Sequence, residues 1–256
     1  MDKYRFEVVK YLAESGITGA MKDTVYEILS DGKHSVTQEQ ADLILQYLCT
    51  LENKGDHDAL LTLGALYYTG LGDFIPQDYV KATQYYEKAA KSSELENHWA
   101  LNNLGYCYYY GRAGEVDYMK AYSCFALSAM YGNPNAMYKL GDMYYYGKFV
   151  DQDFDASVYW YSFAKEQEID ADEDYEGFIA ASIAMRIGRA YLFGEGTPVD
   201  LINALFELRN AETLFYRQIL MYDNFSIDQL PKVQFLIKTA EDGLNNIIAK
   251  KYEGLK

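Results

Sequence analysis

The sequence predicts an all-α solenoid of antiparallel helix pairs, and three observations predict it. A block made of a small residue, Leu-Gly, Tyr and a second Gly at constant spacing occurs four times. Each block is followed by a short loop and an Asp standing just ahead of an Ala. Pro occurs only four times in 256 residues while Ala, Leu and Tyr are frequent, a composition that suits helix throughout.

The blocks read Ala59…Leu63-Gly64…Tyr67…Gly70, Ala100…Leu104-Gly105…Tyr108…Gly111, Ala136…Leu140-Gly141…Tyr144…Gly147 and, with Ile183 in the small place, Ile187-Gly188…Tyr191…Gly194. Each predicts a first helix, A, whose closing Gly takes a left-handed conformation without strain. The following segments, Asp78-x-x-Lys81-Ala82, Asp117-x-x-Lys120-Ala121, Asp153-x-Asp155-Ala156 and Asp200-x-x-Asn203-Ala204, predict a second helix, B, capped by the Asp carboxylate. A glycine inside helix A costs about 1 kcal/mol against Ala. Gly64, Gly105, Gly141 and Gly188 are therefore expected where another helix approaches closely, with Ala82, Ala121, Ala156 and Ala204 as the small partners.

Outside the blocks, residues 1–37 read as N-terminal cap helices, 38–220 as the repeats and 221–256 as a C-terminal cap helix, all in one domain over 1–256. Tyr4, Val8, Tyr11 and Leu12 make one apolar stripe, and Met21, Val25, Ile28 and Leu29 a second. Thr37 with Gln40 is a capping-box pattern ahead of Ala41, Leu45, Leu48 and Leu51, and Ser226 with Gln229 is another ahead of Phe235, Ile237, Leu244, Ile247 and Ile248. Such caps are expected because an open solenoid end exposes apolar surface.

The net charge of −15 argues against nucleic acid or an anionic membrane as partner and leaves room for a basic protein. No run reaches the roughly 18 apolar residues of a membrane span, and the N-terminus has no signal-peptide core. Three Cys without CxxC spacing make no disulfide framework, so a reducing, cytoplasmic setting is expected. No nucleophile elbow, phosphate loop or dinucleotide motif is present, and the three His are scattered, so no catalytic residue, metal or cofactor is expected. The acidic stretch Glu166–Gly177 has Tyr175 and Ala181 where a calcium loop needs Gly and Glu, and reads as a solvated connection.

Small-x-x-x-Leu-Gly-x-x-Tyr-x-x-Gly followed by Asp-x-x-Lys-Ala resembles the Sel-one-like repeat family, a relative of the tetratricopeptide repeats. The resemblance runs from about Ala59 to Phe215. It implies a right-handed superhelix with A helices on its concave wall, acting as a non-enzymatic protein-interaction adaptor. It also implies which A-helix positions face the groove: Asp58, Leu61, Ala65 and Tyr68; Trp99, Asn102, Tyr106 and Tyr109; Asn135, Tyr138, Asp142 and Tyr145; Ser182, Met185, Arg189 and Leu192. Aromatic and Asn side chains there suit a peptide or protein ligand. Trp99 is the expected anchor, while Tyr67, Tyr108, Tyr144 and Tyr191 are expected to pack. An alternative is an acidic, immunity-type inhibitor of a basic effector.

Overall fold

The computed structural model describes residues 3–30, 36–91, 98–169, 179–221 and 224–253. These residues form twelve α-helices, and among them the only strand pairing is an isolated bridge between Leu71 and Ile75. The chain divides into two compact units, Met1–Cys124 and Phe125–Lys256.

The first unit holds α1 (Lys3–Glu14), α2 (Thr18–Ser30), α3 (Gln38–Asn53), α4 (His57–Thr69), α5 (Tyr79–Ala90), α6 (His98–Tyr109) and the start of α7 (Tyr118–Met130). Helix α3 begins with the predicted capping box: Gln40 N–H donates to Thr37 Oγ1 and Thr37 N–H donates to Gln40 Oε1. Ala41, Ile44, Tyr47, Leu48 and Leu51 then face the core with Met21, Val25 and Ile28 of α2. The stripe predicted for α1 is corrected. Val8, Tyr11 and Leu12 are exposed, and the helix packs through Phe6, Val9 and Ala13, which also recur at helical spacing.

The second unit holds the rest of α7, α8 (Pro134–Tyr146), α9 (Phe154–Ile169), α10 (Ala180–Phe193), α11 (Leu201–Leu220) and α12 (Asn224–Glu253). Its distal core joins Leu208, Ala211 and Phe215 of α11 to Val233, Ile237 and Ala240 of α12. Two expectations for α12 are corrected. Ser226 lies inside the helix rather than ahead of it, and its buried hydroxyl donates to Gln218 Oε1 at 2.7 Å. Phe235, Ile247 and Ile248 are exposed, so of the predicted stripe Ile237 alone is fully buried. Helix α9 absorbs the first residues of the acidic stretch, through Ile169; the rest of it, residues 170–177, lies outside the described residues, as do 31–35.

One set of contacts recurs in all four blocks and explains the motif. The N–H of the Asp donates to the carbonyl of the block Tyr: Asp78 to Tyr67 at 2.8 Å, Asp117 to Tyr108 at 3.0 Å, Asp153 to Tyr144 at 3.0 Å, Asp200 to Tyr191 at 2.9 Å. The Asp carboxylate then accepts from the N–H three residues on in every case, satisfying an orphan donor of helix B. Each B helix is thus pinned antiparallel to its A helix at one register. The motif Lys sits over the block Tyr, Lys81 Nζ 4.9 Å from the Tyr67 ring and Lys120 Nζ 5.2 Å from that of Tyr108.

The A-helix glycines do mark close approach, but of large side chains. A Cβ on Gly64 would stand 2.5 Å from Tyr86 Cε1, on Gly141 2.5 Å from Tyr161 Cε1, and on Gly188 2.7 Å from Leu208 Cγ. Tyr86, Phe125, Tyr161 and Leu208 each follow their block's Asp by eight residues and are buried. The alanines four after the Asp are buried too, yet in the third block that place belongs to Ser157, not Ala156. Ser157 N–H donates to the Asp153 carbonyl just as Ala82 does to Asp78. Counting from the cap, the third block keeps the common spacing.

Candidate partner-binding site

On α6 the sequence places Trp99, Asn102, Tyr106 and Tyr109 one turn apart. Trp99, Tyr106 and Tyr109 are partly exposed, and ring contacts hold them in place. Trp99 lies against His98 at 5.1 Å, Tyr106 stacks on Tyr110 at 6.1 Å, and Tyr109 meets Tyr110 and Tyr118 edge-on at 4.9 and 5.3 Å. Asn102, 4% exposed, donates through Nδ2 to Asn103, while its buried Oδ1 accepts from nothing among the described residues. That oxygen is a buried acceptor beneath the aromatic row, out of reach of solvent.

Tyr68 belongs to the same unit and meets the first residue of α5, Tyr79, edge-on at 5.2 Å. The same pairing joins Tyr109 to Tyr118 and, in the second unit, Tyr145 to Phe154 at 5.3 Å. These three tyrosines therefore combine partial exposure with a fixed seat on the next helix. Arg112, just past the α6 closing turn, lies over Tyr79, Tyr110 and Tyr68 at 4.8, 5.4 and 5.9 Å. Sequence reading passed over Arg112 because it stands in a loop rather than on helix A.

In the second unit, Asn135, Tyr145 and Arg189 are partly exposed, whereas Tyr138, Asp142 and Met185 are buried, as are the neighbouring Ser182 and Leu192. Tyr138 and Asp142 face inward against residues of α9 and α10, while Met185 and Leu192 pack into the core shared with α11 and α12. Asp142, 3% exposed, accepts from Tyr161 Oη at 2.8 Å and Arg186 Nε at 3.1 Å on Oδ1, and from Lys139 Nζ at 3.4 Å on Oδ2. Burial by itself would raise the Asp142 carboxyl; Arg186, Lys139 and these hydrogen bonds overcome it and hold the group below its ordinary value. Burial and the Asp142 charge push Tyr161 well up, so it stays a neutral donor. Tyr138 packs against Tyr161 at 5.9 Å. Nearer the surface, Tyr145 Oη lies 3.2 Å from both Glu195 oxygens, and Arg189, paired with Glu195 at 3.4 Å, covers the Tyr145 ring at 4.7 Å.

Lys139 and Arg186 occupy the same place in successive blocks, two residues before the Leu-Gly glycine. Neither was among the predicted facing positions. The available signal was Asp142 itself, a carboxylate amid the apolar and aromatic residues of α8, which demands cations nearby once it is buried. The cysteines offer no reactive thiol in the buried pair: burial raises Cys107 and pushes Cys124 up to about 12. No helix of the described residues is long and apolar enough to cross a membrane.

These repeated pairs match the Sel1 repeat family model at residues 57–93, 100–133, 134–168 and 184–206, and the chain belongs to that family. Among solved structures, a Sel1 repeat protein from Oxalobacter formigenes superposes with a TM-score of 0.58 at 22% identity, over 77% of this chain and 73% of that one. The protective antigen c5321 of uropathogenic Escherichia coli, which displays an SLR fold, gives 0.55 at 22% identity over 93% of this chain; the match spans 56% of the antigen. A sel1 repeat structure from Klebsiella pneumoniae subsp. pneumoniae gives 0.52 at 16% identity, over 90% and 99% of the two chains. At these identities the likeness establishes the fold. No curated protein matches the chain. Sel1 repeat proteins are generally protein-interaction scaffolds, typically without enzymatic activity.

Proposed function

We propose that this chain is a non-enzymatic adaptor that binds a peptide or protein segment on its A-helix faces, with the α6 face as the main anchor. The observation that carries this reading is the row of partly exposed rings on α6, Trp99, Tyr106 and Tyr109, each braced by another aromatic ring. Braced rings offer large contact area at small cost in conformational entropy. A scaffold role for the family supports the same reading.

The test is capture from native lysate by the tagged chain, at low and high salt, compared with a Trp99→Ala, Tyr106→Ala double variant. Tyr109 is left in place because its edge contact with Tyr118 also holds α6 to α7. A discrete protein retained by the parent and lost from the double variant, with an unchanged melting temperature, is the expected result. Capture by the folded double variant equal to that of the parent overturns the reading. Equal loss from both proteins at high salt transfers binding to the acidic surface.

A further inference from the structure

Arg186 has an unusual donor balance for so enclosed a side chain. Its side chain is 17% exposed, and Nε is spent on Asp142 Oδ1 at 3.1 Å. A guanidinium carries five N–H donors in a planar fork. The two terminal nitrogens of Arg186 donate to nothing among the described residues. Asp142 is met by Nε alone, its oxygens also accepting from Tyr161 and Lys139. The Nε bond fixes the plane of the fork, and the phenols of Tyr138, Tyr161 and Tyr146 stand around it. Tyr146 is 46% exposed and marks the solvent side.

Local charge also runs against the whole. In a chain of net −15, the named groups of this face are Lys139, Arg186 and Arg189 against Asp142 and Glu195. A fixed cation with an open fork in weakly polar surroundings is complementary to a carboxylate.

We propose that Arg186 reads the partner: its terminal N–H groups take the carboxylate of an Asp or Glu side chain in the segment held by the second unit. The partner segment is then acidic at this point rather than basic throughout. This inference rests on the adaptor reading above.

The experiment is a selection of the whole chain against random peptides that are N-acetylated and C-terminally amidated, so that every carboxylate is a side chain. Selected peptides share an Asp or Glu at one position. Replacing that residue by its amide weakens binding to the parent chain about tenfold, the scale of one charged hydrogen bond. Arg186→Lys, which keeps a cation beside Asp142 but not the fork, weakens the parent peptide by a similar factor and the amide peptide hardly at all. Peptides selected without an acidic position, or an Asp/Glu-to-amide change with no effect on the parent chain, overturn the inference and leave the adaptor reading standing. Failure to select any peptide overturns both. The amide arm uses the parent protein, so its outcome does not depend on whether Arg186→Lys folds.

Discussion

Asp142 shows how a single side chain can organise a helical repeat. Its carboxylate is buried yet ionised, because a phenol and two cations surround it. Asp142→Asn keeps the shape but leaves Lys139 and Arg186 without their shared anion. The expected loss is about 3–5 kcal/mol, the cost of breaking a buried pair from one side, measured by denaturant unfolding at neutral pH. The pH dependence follows from the lowered carboxyl. Stability from a depressed carboxylate is complete above the unfolded value, near the ordinary 3.8, and is lost as pH falls towards the folded value. The gap between the parent chain and Asp142→Asn is therefore constant from neutrality to about pH 5 and narrows below about 4. A gap that instead opened on acidification would refute this assignment.

At the scale of the helix pair, Gly64, Gly141 and Gly188 of the Leu-Gly pairs are sockets for the residue eight after the cap Asp. Gly141→Ala would drive a methyl against Tyr161, whose ring is buried and whose hydroxyl is tied to Asp142. Overpacking of this kind costs roughly 1–3 kcal/mol, more than the ~1 kcal/mol that Ala returns in helix propensity. Gly19→Ala in α2 meets nothing within 4 Å and serves as the matched control, expected to be neutral or mildly stabilising. Equal melting temperatures for Gly141→Ala and the parent chain would show that Tyr161 yields.

Much of this element was legible in the sequence, and the reasons are local. Cap Asp, closing Gly and motif Lys act within a few residues, so spacing alone placed them. The partner of each Gly lies on another helix, and spacing gave only that something came close; the alanines were the wrong guess because size complementarity across a helix pair has no sequence signature. Ser157 was missed because its neighbour Ala156, the nearest alanine, was taken as the small residue although it stands one place short of the common spacing from Asp153. The stripes of α1 and α12 failed for a related reason: a terminal helix exposes apolar residues on several faces, and only its neighbour decides which one is buried. For the candidate site, the α6 row was readable as a face, whereas Arg186 was not, since its relation to Asp142 spans 44 residues.

For the molecule as a whole, four helix pairs built on one bonding plan present different side chains from the same A-helix places. Aromatic rings predominate on α6, and a charged pair with its own buried support marks α8 and α10. A common frame with varied faces is how a repeat protein acquires a specific partner without changing its fold. The adaptor account depends on the partner lying on A helices rather than on B helices, several of which also expose apolar residues.

Site-specific photo-crosslinking decides this most directly. A photoreactive phenylalanine at Tyr106 on the A face and, in a separate protein, at Met119, exposed on α7, are compared for crosslinking to the protein captured from lysate. The account predicts that the partner crosslinks through position 106 and not through 119. Crosslinking through 119 with none through 106 would contradict it.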